Sequence, residues 1–278
     1  MGQLDGQVAL ITGGARGQGR CHAVSLAREG ADIALVDLCQ DVASVEYPLA
    51  TAGDLDETAR LVEKEGRRCL ALTADVRDAE AIASATTRTA DDLGRLDILI
   101  ANAGVSAGAP VQIADPDQWN DVIGINLSGV FNSIRAAAPV MIGQRSGRIV
   151  AISSMMGRGT TGGMGAYTAS KWGVIGLVKS AAQDLAAFGI TVNAIAPGTV
   201  DTPMVRNEAL IRKVRPDLDN PTMEDAAKFL GILHVQPDPL IDPLEISAAV
   251  LFLVGPGAAH MTGAVLDVSA GASARFTA

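Results

Sequence analysis

A short, largely apolar run, Val8-Ala9-Leu10-Ile11-Thr12, leads straight into Gly13-Gly14-Ala15-Arg16-Gly17-Gln18-Gly19. A run of that length and character fits a strand buried on both faces. From about Gly17 to Glu29 the pattern is helical, and it stops at Gly30, a residue suited to a helix C-terminus. Strand, glycine turn and helix in this order form the context of a dinucleotide-binding loop. Glycines let the backbone turn sharply and approach a pyrophosphate. The helix start adds unpaired N–H groups and a partial positive charge. An ordinary glycine-rich turn is the bland alternative, and the order of elements weighs against it. Gly13, Arg16, Gly17, Gln18 and Gly19 are therefore the candidate nucleotide contacts.

The same rhythm repeats along the chain. Strands are predicted at Asp32–Val36, Arg68–Leu72, Leu96–Ile100, Ile149–Ser154, Ile190–Ala196 and Val265–Val268. Helical patterns fall at Asp78–Leu93, at Asp117 to about Met141, at Tyr167–Phe188 and at Pro243–Leu253. Pro139 is expected to kink or end the second of these, the longest pattern. Alternating βα units predict an α/β protein, a doubly wound parallel sheet (the Rossmann fold), as a single domain over 1–278. Residues 203–241, rich in Pro, Asp and charge, read as short helices in a substrate-covering insertion within that domain.

Composition narrows the partners. The 278 residues are 48% hydrophobic but only 3% aromatic, which fits aliphatic layers of helix on sheet. The net charge of −9 leaves no basic stripe for nucleic acid or an anionic membrane. No apolar run approaches the roughly 18 residues of a membrane span. Residues 1–7 lack the basic start and apolar run of a signal peptide. Cys21, Cys39 and Cys69 are odd in number with no Cys-x-x-Cys spacing, as expected of reduced thiols in a cytoplasmic protein. His22, His234 and His260 show no ligand spacing, so no metal is expected.

Asp37 ends the second strand, with Leu38 beside it. An acid about 20 residues beyond the glycine loop can bind an adenosine ribose diol and would repel a 2′-phosphate. That predicts NAD rather than NADP. Arg16 pulls the other way, since a guanidinium there can bind a 2′-phosphate, but the carboxylate carries the direct electrostatic penalty. Asp75 and Val76 are placed to flank the adenine, with Asp75 accepting from its amino group. Asn102-Ala103-Gly104, small residues at a strand end, suit close passage of a ligand. The connection over residues 39–53, with Tyr47-Pro48, exceeds the usual 2–6 residues or so. It would lie beside the adenosine end. Asp54-Leu55-Asp56-Glu57 reads as a capping box opening the next helix.

The chemistry is expected around Ser154 and Tyr167-Thr168-Ala169-Ser170-Lys171. On a helix Tyr167 and Lys171 share one face, a turn apart. A nearby cation favours the phenolate. Bringing a phenol from about 10 toward neutrality needs about 3–4 kcal/mol of such stabilisation. The hydroxyl of Ser154, at a strand end, is placed to fix a substrate oxygen beside the phenol. Asn126, amid apolar neighbours, needs partners for its amide if buried, and by itself reads as a backbone tie. Met155, Met156, Met164 and Met204 fall near the expected pocket and suit an irregular apolar ligand or ordinary packing.

Taken together, Thr12-Gly13-x-x-x-Gly17-x-Gly19, Asn102-Ala103-Gly104, Asn126, Ser154, Tyr167-x-x-x-Lys171 and Pro197-Gly198 resemble the short-chain dehydrogenase/reductase family from about residue 4 to 270. The long 37–54 connection further resembles its carveol-dehydrogenase-like group, associated with the redox carrier mycofactocin. The resemblance implies seven strands in the order 3-2-1-4-5-6-7 and an NAD-dependent oxidoreductase of secondary alcohols and ketones. Tyr167 is then the general acid/base, and Lys171 lowers its pKa and binds the nicotinamide ribose. Ser154 orients the reacting oxygen, and Asn126 holds a relay water. Val200 and Thr202 then position the carboxamide, and Pro197 and Gly198 contact the cofactor. A homotetramer, tightly held NAD and an external electron carrier are implied as well. The alternatives are an NADPH-dependent carbonyl reductase and, from another class, a nucleotide-binding protein without turnover.

Overall fold

Along β1 (Val8–Thr12), Val8 and Leu10 enter one apolar layer and Ala9 and Ile11 the other. Such period-two alternation, buried on both sides, requires helices on both faces of the sheet. The computed structural model describes residues 2–275; Met1 and residues 276–278, the ends of the expected domain, lie outside the described residues. After β1 come α1 (Gly17–Arg28), β2 (Asp32–Asp37), α2 (Ala52–Lys64), β3 (Cys69–Thr73), α3 (Ala79–Leu93) and β4 (Ile98–Ala101). The second half holds α4 (Pro116–Ile123), α5 (Gly129–Gln144), β5 (Gly147–Ile152), α6 (Gly165–Leu185) and β6 (Ile190–Pro197). The chain ends with α7 (Glu208–Val214), α8 (Met223–Leu230), α9 (Pro243–Val254) and β7 (Val265–Val268).

The strands form one parallel sheet ordered β3-β2-β1-β4-β5-β6-β7, as expected. One face carries α3, α5 and α6, whose Ile82, Ile134 and Val178 pack on Leu10, Leu99 and Ile149. The other carries α1, α2 and α9, whose Leu26, Leu55 and Val250 pack on Ile11, Ile100 and Val150. Each fully buried aliphatic side chain contributes about 1.5–3 kcal/mol. Because β1 and β4 are neighbours whose connections leave in opposite directions, a crevice opens at their carboxyl ends.

Two local expectations are corrected, and of the two outcomes at Pro139 one is excluded. The capping box of α2 lies a turn earlier than read: Thr51 is the cap, and its side chain and that of Asp54 satisfy each other's backbone N–H. The 117–141 pattern is not one helix. After α4 the chain widens into a π-helical turn, Gly124–Ser128, before α5. Pro139 does not end α5, which runs on to Gln144; buried Ala137 and Met141 on either side hold it to the core. The longest helix is instead α6, of 21 residues.

Candidate active site

The crevice is floored by the glycine loop. A Cβ on Gly19 would lie 1.9 Å from the Gly13 carbonyl oxygen, and Gly17 has a φ of +56°. Only glycine fits either place without a backbone shift. No side chain caps α1, and Arg16 at its cap is extended, so the first-turn N–H groups are left for a ligand's oxygens. The Thr12 hydroxyl accepts from Asn102 N and Ala103 N at 3.1 and 3.2 Å. Asn102 Nδ2 donates to the Thr12 and Gly13 carbonyls, both at 3.0 Å. This lattice fixes β1 to β4 where Asn102, Ala103 and Gly104 line the cleft.

Asp37, Leu38, Asp75 and Val76 form the adjoining wall. The two oxygens of Asp37 accept from Ala15 N (3.0 Å) and Cys39 N (3.3 Å). The carboxylate is thereby aimed by the glycine loop itself. Arg16 donates to the Pro48 carbonyl, which commits its guanidinium to the 39–51 connection. Asp75 is held by Arg77 through Nε (2.9 Å) and Nη2 (2.6 Å). Burial opposes its charge, but the Arg77 bonds win and hold the carboxyl below the usual range.

The long connection folds over this wall. Tyr47, Leu49 and Ala50 line the cleft. Tyr47 is buried and its hydroxyl oxygen accepts from Ser106 N at 3.0 Å. Burial pushes that phenol up to about 12, so it stays neutral. Ser44 donates to Asp121 (2.6 Å) and Gln118 donates to the Ser44 carbonyl (3.1 Å), pinning the connection to α4. Its length is visible in the sequence; Tyr47 as a lining residue is not, because its partner lies 59 residues away.

Behind Gly104, which lines the cleft and abuts Lys171, β5 leads to Ser154 and α6 carries Tyr167 and Lys171. Ser154 hydrogen-bonds the Tyr167 phenol, and its Oγ also accepts from Met156 N at 3.1 Å. Lys171 Nζ lies 5.6 Å from the Tyr167 ring centroid and donates to the Ile152 carbonyl at 2.9 Å. Asn126, fully buried in the π turn, accepts from Val105 N at 2.8 Å. Its amide donates to Val105 O at 2.9 Å and to Ser170 Oγ at 3.3 Å. Asn126 and Lys171 meet at Gly104, where a Cβ would lie 3.3 Å from Asn126 Oδ1 and 3.5 Å from Lys171 Nζ.

The electrostatics differ from expectation. Burial pushes the Tyr167 phenol up, and the opposing influence is the Ser154 hydroxyl rather than Lys171. Lys171 is itself driven down to about 8 by burial. Its ammonium is bound by the Ile152 carbonyl and lies over the Tyr167 ring, and burial is the leading influence on both groups.

Thr202, with Pro203 and Met204, lines the cleft over the start of α1, whereas Pro197, Gly198 and Val200 do not line it. Val200 is buried and bridges Ile241. Met155 and Met156 cluster with Ala272, and Tyr167 and Leu233 pack against them. Met164 sits at the start of α6. Among the described residues no group of three His, Cys, Asp or Glu side chains could hold a metal ion, and no helix is long and apolar enough to cross a membrane.

Fold and site together define a nucleotide-dependent oxidoreductase, and the comparisons agree: residues 7–211 match the short chain dehydrogenase family, to which the chain belongs. It is 44% identical to (-)-trans-carveol dehydrogenase of Rhodococcus erythropolis over 273 residues, 98% of this chain and 99% of that relative. It is 45% identical to carveol dehydrogenase from Mycobacterium avium, solved in complex with NAD, with a TM-score of 0.96 and coverage of 98% and 99%. A short chain dehydrogenase from Mycobacterium paratuberculosis bound to NAD is 38% identical, with a TM-score of 0.89 and coverage of 98% and 100%.

Proposed function

We propose that this chain is an NAD-dependent dehydrogenase of small, apolar, cyclic or terpenoid secondary alcohols. The observation that carries the reading is the convergence of Ser154, Tyr167 and Lys171 next to Gly104, a lining residue of the glycine-floored cleft. NAD fits that cleft. The Gly13–Gly19 turn takes the pyrophosphate, Asp37 the adenosine ribose, Asp75 and Val76 the adenine side, and Thr202 the carboxamide side. When bound, the nicotinamide supplies the two-electron chemistry as a hydride acceptor.

The chain's own residues do the rest. Ser154 and Tyr167 hold the substrate hydroxyl between them. Tyr167 takes its proton as the carbinol hydride leaves, and in the reverse direction returns it to the ketone oxygen. Lys171 draws the phenolate into range once its ammonium faces the phenol oxygen. Met155 and Met156 supply an apolar wall next to Tyr167, in keeping with a hydrocarbon substrate. The carveol dehydrogenases named above favour the terpenoid class.

The 39–51 connection, bound through Tyr47, Pro48 and Ser44, covers the cleft and retains NAD between turnovers. Electrons then leave to an external carrier of the mycofactocin kind. The assembly is a cytoplasmic homotetramer, and residues 203–241 cover the substrate. The NADPH reductase reading is weaker, because Asp37 faces the cleft and Arg16 is bound to Pro48. The test is a panel of secondary alcohols assayed with an artificial electron acceptor, with and without added NAD. Oxidation of cyclic apolar alcohols is expected. No oxidation of any secondary alcohol, or a strong preference for NADP, would end this reading.

A further inference from the structure

We propose that His234 is a positioning residue for hydride transfer, an inference that rests on the cleft taking NAD as above. His234 is 2% exposed and sits in the covering segment just after α8. Its Nδ1 lies 2.9 Å from the Leu230 carbonyl oxygen. A carbonyl only accepts, so Nδ1 carries the proton and Nε2 is left as an acceptor. Nε2 receives the Thr199 N–H at 3.3 Å. The ring is seated directly on the turn after β6, since a Cβ on Gly198 would lie 3.0 Å from Nε2.

That turn leads to the cleft. Thr199 O accepts from Ile241 N at 2.9 Å, Val200 bridges Ile241, and Thr202 Oγ1 donates to Val200 O at 3.3 Å. Thr202 in turn lies over the start of α1, where a Cβ on Gly17 would be 3.5 Å from Thr202 Cγ2. The residue before the imidazole, Leu233, packs on the Met155, Met156 and Ala272 cluster against which Tyr167 also packs. Val235 N and Gln236 N both donate to Ala270 O, at 2.9 and 3.0 Å. One ring therefore sets both the strap beside the nicotinamide and the apolar wall beside the phenol. It touches no reacting atom; it acts through Thr199 and Leu233.

The test compares His234→Phe, which keeps a ring without an acceptor, with His234→Gln, which restores a side-chain oxygen. In the Phe variant NAD affinity stays within about threefold of wild type, because the ring bonds Leu230 and Thr199 and none of the adenosine-side residues. Its kcat falls about 10- to 100-fold. The primary isotope effect with a carbinol-deuterated alcohol rises, because hydride transfer becomes limiting, and Gln recovers most of the loss. An unchanged kcat and isotope effect in the Phe variant, or a Gln variant as slow as Phe, overturns the proposal. If the Phe variant does not fold, amide hydrogen exchange of the wild type decides: Thr199 N–H is protected and slows further with NAD, and exchange at the rate of exposed amides overturns it. Wild-type NAD binding, titrated in parallel, tests the underlying reading on its own.

Discussion

The Tyr47 hydroxyl and the Ser106 backbone N–H are joined by a 3.0 Å hydrogen bond across the mouth of the nucleotide cleft. Tyr47 belongs to the long connection after β2 and Ser106 to the loop after β4. One side chain thus spans the sheet's central strand, beside the Pro48 and Ser44 contacts of the same connection.

Removing that hydroxyl is expected to loosen the closure. A neutral hydrogen bond is worth about 0.5–1.5 kcal/mol, so Tyr47→Phe should release NAD about 2- to 10-fold faster. Tyr47→Ala, which also removes the buried ring, should release it faster still. Dissociation rates measured by dilution into excess competing nucleotide check this.

Tyr167→Phe keeps the ring that packs on Met155 and Met156 and deletes the proton carrier. Turnover should fall by about 10²- to 10⁴-fold with NAD affinity unchanged. An active Phe variant, with binding measured in the same preparation, would remove Tyr167 from the chemistry.

Gly19→Ala forces a Cβ to within 1.9 Å of the Gly13 carbonyl oxygen, so the loop must open. NAD affinity should drop by more than about tenfold, or about 1.4 kcal/mol. Gly176→Ala on α6 meets nothing within 4 Å and should instead stabilise the protein by about 0.5–1 kcal/mol. Calorimetric titration and thermal melts separate the two.

Burial of His22 gives a specific acid sensitivity. The ring is wholly enclosed between α1 and α9, with Nδ1 2.8 Å from Ser247 Oγ, and burial lowers its pKa to about 3 from 6.5. Because the folded value is depressed, the native ring stays neutral while the unfolded chain takes up a proton. The associated stability is whole above pH 6.5 and is lost as pH falls toward 3, at about 1.4 kcal/mol per pH unit. His22→Asn should therefore show a shallower fall in stability across that window. Denaturant midpoints from pH 7 to 4 measure the difference.

The sheet is legible because the strands are short, largely aliphatic runs, and Gly13, Asp37, Asp75 and Gly104 follow or end strands at their carboxyl ends. Tyr167 and Lys171 stand out by their helical spacing and Ser154 by its place at a strand end, whereas Asn126 reads locally as a backbone tie and gains a role only through the family resemblance; the folded chain brings the four together at Gly104 and Tyr167. What escaped was tertiary. The π turn at Gly124–Ser128 leaves the apolar period nearly unchanged, yet it turns Asn126 onto Val105. Thr51 looked like loop because its partner, Asp54, had been read as the cap. The direction of the Tyr167 shift depends on how deeply α6 sinks against β5, which spacing alone does not encode.

The parallel sheet sends every ligand-facing loop to one rim. At the other rim, Gly66 and Gly94 are exposed, and a Cβ built on either meets no neighbour within 4 Å. A tether grafted there would point away from the nucleotide. The enzyme could then be wired to an electrode or fused to an electron-transfer partner with its mouth open to the medium.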